Sequence, residues 1–386
     1  MKKFNLKALL LLSLGHMVVD IYQGALPALL PFLKEKLSLT YTMAGVVLVM
    51  SNFASSILQP LFGYYSDKKE KAVLLPVGLL FAGMSFALLS LADIYVLVLV
   101  LTALSGLGIA AYHPEGYKTA HFFTGERSAT GMSIFSVGGN LGLSLGPVCV
   151  VYIIQYLGLP YLPVIVLPAL LMTLVILIAR KTVAIPAMEH ADRQTAAAAA
   201  PKGAMLSLIT VIGIVVARTW TQMGLVSYIP FYYINYLKGE PVFAGKLVFT
   251  FLVCGALGTL IGSPIADRIG LRTFLRLTMF LGTIVLPLMF VPFINQSWLL
   301  FVVLGVEGAL IVSTFSVTVV IGQKLLPHRL GVASGLLVGF AIGAGGVGVT
   351  LLGVIADTMG VPLALEAIML LPLIGFILSL ILRFKG

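Results

Sequence analysis

The sequence predicts an all-α membrane protein of twelve transmembrane helices, arranged as two pseudo-symmetric six-helix bundles. Three observations predict it. Mean hydropathy is +1.09. Only 10% of the 386 residues are charged and 60% are hydrophobic, where about a quarter of an ordinary soluble chain is charged. The turn Gly63-Tyr64-Tyr65-Ser66-Asp67-Lys68 is answered 200 positions later, from 63 to 263, by Ser263-Pro264-Ile265-Ala266-Asp267-Arg268. Duplicated helix bundles of this kind are a common build among secondary transporters, with the substrate site between the repeats.

Apolar runs of about 20 residues, enough to cross a bilayer, fall at residues 5–33, 42–66, 72–91, 94–117, 128–155, 160–180, 204–236, 243–266, 273–292, 298–324, 330–355 and 361–382. Span 1 opens on Met1-Lys2-Lys3, as a signal peptide does. No small-x-small cleavage site follows, and the run continues through Asp20 and two prolines to Leu33, so it reads as a retained helix. Spans 2 and 3 flank the first copy of the turn. Span 4 ends in Tyr112-His113-Pro114-Glu115-Gly116-Tyr117-Lys118, where the proline is expected to break the backbone ladder. Span 5 carries Gly131, Gly138, Gly139, Gly142 and Gly146, small residues that let helix backbones approach closely. Span 6 is apolar.

Residues 182–203, with Glu189, His190, Asp192, Arg193 and the run Ala196 to Ala200, form the expected cytoplasmic linker between bundles 1–181 and 204–386. Span 7 places Gly224 where span 1 has Gly24. Spans 8 and 9 flank the second turn. Span 10 carries a lone acid, Glu307. Span 11 answers span 5 with Gly335, Gly339, Gly343, Gly345, Gly346 and Gly348, and span 12 closes the chain.

The net charge of +10 follows from topology. Nineteen Lys and Arg residues, from Lys2 and Lys68 through Arg180 and Arg268 to Lys385, fall on one side; Lys34, Lys36 and Lys238 fall on the other. That bias places both termini in the cytoplasm and removes the case for a nucleic-acid partner. Cys149 and Cys254 lie within apolar runs and are expected to pack as small hydrophobes. Neither His-Glu-x-x-His nor paired-cysteine spacing occurs, so no metal, catalytic centre or cofactor is expected. The expected partners are protons, a small anionic solute and membrane lipid, and a monomer is the default.

Ionisable side chains inside spans are costly and mark function. His16, Asp20 and Gln23 form one stripe on span 1, with His16 and Asp20 the candidate proton site. Arg218 and Gln222 lie one turn apart on span 7, with Tyr232 on roughly the same face; a guanidinium there favours an anion held bidentately. If spans 1 and 7 border a central cavity, Asp20 and Arg218 face it at similar depth. Glu307, followed on its face by Thr314 and Thr318, is a second proton candidate. His113 and Glu115 on span 4, and Ser136 and Asn140 on span 5, complete the polar lining. Spans 3, 6, 9 and 12 are almost wholly apolar and are assigned to lipid. Gly63, Asp67 and Lys68, with Asp267, Arg268 and Arg272 in the second copy, read as a conformational latch.

The repeated Gly-x-x-x-Asp-Lys/Arg turn resembles the signature of the major facilitator superfamily, with Ser263 standing where glycine is usual. Within it, Gly15-His16-x-x-x-Asp20-x-x-Gln23-Gly24, Ala111-Tyr112-His113-Pro114-Glu115-Gly116 and Met132-Ser133-Ile134-Phe135-Ser136-Val137-Gly138-Gly139-Asn140 resemble the fosmidomycin resistance protein group. The resemblance implies the major facilitator fold and a bacterial inner-membrane drug:proton antiporter that exports a phosphonate antibiotic. It makes His16, Asp20, Gln23, His113, Glu115 and Asn140 candidate functional positions. Proton-coupled uptake of an organic anion is the rival within transporters; a non-transporting membrane sensor or enzyme is the rival outside them.

Overall fold

The structure, a computed structural model, describes residues 4–68, 72–184, 204–295, 297–340 and 343–383. Most of the predicted linker, residues 185–203, lies outside the described residues. Among the described residues, twelve helices are long and apolar enough to cross a membrane. They are α1 Leu6–Leu37, α2 Met43–Asp67, α3 Leu74–Leu91, α4 Tyr95–His121, α5 Ser128–Leu157, α6 Leu159–Lys181, α7 Met205–Ile234, α8 Phe243–Ile269, α9 Leu271–Phe290, α10 Leu299–Leu325, α11 Leu330–Met359 and α12 Val361–Ile381. The backbone divides into two units: Met1–Ala198 with Pro327–Phe340, and Ala199–Leu326 with Ala341–Gly386. The first turns of α11 therefore pack with the first unit.

In the first unit, α1 and α5 are in the most intimate contact, and glycine is the reason. A side chain on Gly138, Gly142 or Gly146 would strike the carbonyl oxygens of Ser13, Met17 and Ile21 respectively. The two helices thus keep register every four residues, a double small-xxx-small seam in which backbone meets backbone. The Ser13 hydroxyl donates to the Ile134 carbonyl at 2.8 Å across the same seam. Within a bilayer there is no water to exclude when helices pair, so close packing and such bonds hold them together.

Pro114 does not end α4, which runs on to His121. Proline removes the N–H that would bond the carbonyl four residues back, and neighbouring helices tolerate the loss by supplying other partners. Among the described residues, three spans contain π-helical turns: Phe53–Ile57 in α2, the segment Phe231–Tyr236 at the end of α7, and Gly335–Phe340 in α11. Such turns appear mostly as single widened turns within α-helices, frequently at functional sites.

In the second unit the core gathers Leu225, Tyr228 and Ile229 of α7, Leu247 and Phe251 of α8, Leu300 and Leu304 of α10 and Leu365 and Ile368 of α12. The Arg276 guanidinium on α9 donates to the carbonyls of Ser379 and Leu380, both at 3.1 Å, satisfying the open end of α12.

Candidate functional site: a buried histidine–aspartate cluster

The glycine seam places His16 and Asp20 of α1 directly against α5. A Cβ on Gly139 would lie 2.6 Å from both the Asp20 Oδ2 and the His16 Nε2, so only glycine leaves room for them. From α4, His113 completes the group. Its Nε2 stands 3.0 Å from Asp20 Oδ1, and the His16 Nε2 stands 3.3 Å from Asp20 Oδ2. All three side chains are buried. The His16 ring stacks on Phe135 with centroids 4.4 Å apart and meets the edge of Tyr117 at 5.7 Å. The Tyr117 hydroxyl is 3.3 Å from that of Ser136, which ties Ser136 to the rim of the cluster.

Hydrogen positions follow from the partners. The Nδ1 of His16 is 2.9 Å from the Phe135 carbonyl oxygen. A carbonyl only accepts, so that nitrogen carries a hydrogen. The Gln59 amide nitrogen donates to the Ser55 carbonyl at 2.7 Å, which fixes the orientation of the amide. Its second hydrogen faces Nδ1 of His113 at 3.5 Å, so His113 accepts there and carries its own hydrogen on Nε2, 3.0 Å from Asp20 Oδ1. One position is left. A single proton between His16 Nε2 and Asp20 Oδ2, on the imidazole or on the carboxyl, would bridge the two atoms, which stand 3.3 Å apart. Without it, two lone pairs face each other in a buried site.

Three ligand atoms of His16, Asp20 and His113 lie within 4.8 Å of one another, compact enough to surround a cation.

The other residues expected from the sequence fall into separate places. Gln23 and Asn140 are half-buried, and among the described residues neither side chain hydrogen-bonds to the cluster. Glu115 is committed elsewhere: its carboxylate pairs with Lys118 at 2.8 Å, and Lys118 donates to the Ser66 carbonyl at 2.7 Å. Lys118, counted by its position among the cytoplasmic charges, is only 3% exposed, a buried counter-ion at the end of α2.

Asp67 caps α11. Its two oxygens accept from the backbone N–H groups of Gly331 at 2.8 Å and Val332 at 3.0 Å, at the positive end of the helix. Gly63 makes this possible, because any side chain there would strike the Gly331 carbonyl. Lys68 lies over the Tyr64 ring at 4.2 Å. In the second copy, Ser263 is buried and bonds to the Ser316 hydroxyl at 2.8 Å, and Arg272 donates to the Leu380 carbonyl at 3.4 Å. Asp267 is half-buried at the end of α8 and Arg268 is exposed.

In the second unit Arg218 is buried and donates to Gln222 Oε1 at 3.2 Å and to Thr219 at 3.1 Å, with its guanidinium 5.2 Å from the Phe315 ring. Tyr232 belongs instead to the apolar core, stacked on Tyr236 at 5.3 Å. It sits in the π turn, where a wheel of 3.6 residues per turn no longer predicts the face. Glu307 is fully buried against Gly282, and neither carboxyl oxygen has a hydrogen-bond partner among the described residues. The hydroxyls of Thr314 and Thr318 bond back to their own helix.

Gln59 was not among the expected site residues. It lies 54 positions from His113, and nothing in the local pattern of α2 marks it.

Residues 12–337 match the family model described as the Major Facilitator Superfamily. The chain is 34% identical over 369 residues to the fosmidomycin resistance protein of Escherichia coli strain K12, covering 95% of this chain and 90% of that protein. It is 33% identical over 386 residues to the uncharacterized MFS-type transporter YfnC of Bacillus subtilis strain 168, covering 97% and 92%. Among solved structures, the transporter FucP in its outward conformation aligns with a TM-score of 0.75 at 16% identity, over 98% of this chain and 99% of that one.

Proposed function

This chain belongs to the major facilitator superfamily, and on that premise we propose that it is a proton-coupled antiporter exporting small anionic compounds such as fosmidomycin by alternating access. The observation that carries the reading is the buried cluster in which His16 Nε2 stands 3.3 Å and His113 Nε2 3.0 Å from the Asp20 carboxylate, a geometry we read as sharing one exchangeable proton between His16 and Asp20. With that proton the cluster is neutral overall. Losing it leaves a buried negative charge and sets two lone pairs against each other, so the deprotonated cluster must change its geometry. A site whose shape depends on one proton is what coupling requires.

The anion is held by Arg218. Its planar fork suits a phosphonate or carboxylate, with Gln222 and Thr219 orienting it and Phe315 beneath its face. The proton and the anion occupy the carrier in turn. The membrane potential then adds about 2.3 kcal/mol per charge per 100 mV to the driving force. Export, as opposed to uptake, is supported by the E. coli relative's description as a resistance protein. The chain sits in the bacterial cytoplasmic membrane with both termini inside and acts as a monomer. Asp67 and Gly63, capping α11, hold one conformation until the proton state changes.

The test is transport into everted membrane vesicles. Fosmidomycin should accumulate against its gradient when the interior is acidified, and a protonophore should abolish this. Accumulation indifferent to the protonophore overturns proton coupling; no movement of fosmidomycin overturns the substrate.

A further inference from the structure

Gln59 stands between two things the proposed function needs, the protonatable cluster and the start of α11. It is 4% exposed. One face of its amide bonds the Ser55 carbonyl and reaches the His113 Nδ1. Its other face is closed by α11: a Cβ on Gly339 would lie 2.5 Å from the Gln59 Cβ and 2.6 Å from its Cδ, and one on Gly335 would lie 2.7 Å from its backbone. Both helices are π-helical at or beside this point, α2 at Phe53–Ile57 and α11 at Gly335–Phe340. Further along α2, Gly63 backs onto Gly331, and Asp67 caps the same helix end. The start of α11 therefore rests along α2 from Gln59 to Asp67.

We propose that Gln59 is a positioning residue that fixes the tautomer of His113 and so couples the proton cluster to the packing of α2 against α11. This rests on the proton-coupled reading above. At 3.5 Å the contact to His113 is at the long end of hydrogen bonding, so a shift of a fraction of an ångström in either helix makes or breaks it. Made, the amide hydrogen holds Nδ1 as an acceptor and compels His113 to donate to Asp20. Broken, Nδ1 is open to a proton of its own, and His113 competes with the His16–Asp20 pair for it. The packing of α11 on α2 then decides where the proton resides.

The groups facing this site are few. Asp20 and His16 come from α1, and Tyr112 and Tyr117 from α4, their rings within 6.4 Å of those of the two histidines. Phe135 and Gly139 come from α5, and Gly335 and Gly339 from α11. Further along α4, Glu115 and Lys118 neutralise each other.

Two variants test it in the full-length protein. Gln59→Met keeps the volume and removes the donor; Gln59→Glu replaces the donor by an acceptor. Nitrogen-15 NMR of the imidazoles, assigned with His113→Gln among the five histidines, should show His113 in the wild type with Nδ1 bare and Nε2 protonated. The Met variant should show a mixture, and the Glu variant should move the hydrogen to Nδ1. The pH midpoint of fosmidomycin-driven proton movement in proteoliposomes should rise by about one unit in Gln59→Glu, since a nearby anion favours a protonated imidazole. Gln59→Met should shift it less, in the same direction. A wild-type His113 protonated on Nδ1 overturns the proposal, as does an unmoved midpoint in a folded Glu variant. If the wild type shows the expected tautomer but moves no protons with drug, the antiport reading fails and the Gln59–His113 assignment survives.

Discussion

Replacing Asp20 by asparagine and by alanine should give opposite results for stability, because the cluster's hydrogens are already assigned. Asparagine keeps an acceptor for the His113 Nε2–H, and its amide hydrogen meets the bare Nε2 of His16. It therefore imitates the proton-loaded cluster with a hydrogen that cannot leave. Alanine leaves a buried donor on His113, now 3.0 Å from nothing polar, and a buried acceptor on His16. Each unsatisfied buried group costs about 1–3 kcal/mol, so Asp20→Ala should lose roughly 2–6 kcal/mol, while Asp20→Asn should stay within about 1 kcal/mol of the wild type. The assay is thermal unfolding of the purified protein in detergent. If Asp20→Asn is as unstable as Asp20→Ala, the single-proton assignment is refuted.

Other substitutions test the remaining parts. Arg218→Lys keeps the charge but gives up the planar fork held by Gln222 and Thr219 and stacked on Phe315, and fosmidomycin affinity measured by binding titration should fall about tenfold or more. Gly139→Ala forces a methyl to within 2.6 Å of Asp20 and His16; overpacking should cost about 1–3 kcal/mol, and drug-driven proton movement should disappear even in protein that remains folded. Glu307→Gln should leave thermal stability nearly unchanged, because an amide fills the same space and the carboxyl it replaces has no hydrogen-bond partner among the described residues. Proton movement should persist in that variant, and its loss would transfer the exchanged proton to Glu307.

The twelve spans were legible because hydropathy over about 20 residues is a strong local signal. His16 and Asp20 were legible because they sit one helical turn apart in a run where a charge is costly. The glycines of α5 announced a close contact, but not that Ser13, Met17 and Ile21 would meet them. What the sequence hid depends on tertiary neighbours or on departures from the ideal helix. Gln59 becomes a site residue only because α4 brings His113 beside it. Lys118, at the cytoplasmic end of span 4 in the sequence, proves to be the buried partner of Glu115 and Ser66. Tyr232, expected on roughly the same face as Arg218, packs in the apolar core of the second unit. The attachment of Pro327–Phe340 to the first unit follows from packing at Gly331, Gly335 and Gly339, which chain order does not reveal.

The most direct measurement is the internal pH of proteoliposomes when fosmidomycin is added, comparing wild type with Asp20→Asn. The account predicts proton movement in the wild type that requires the drug, and none in Asp20→Asn, whose cluster is permanently loaded. Drug-dependent proton movement that persists in Asp20→Asn would contradict the claim that the proton exchanged for substrate is the one between His16 and Asp20.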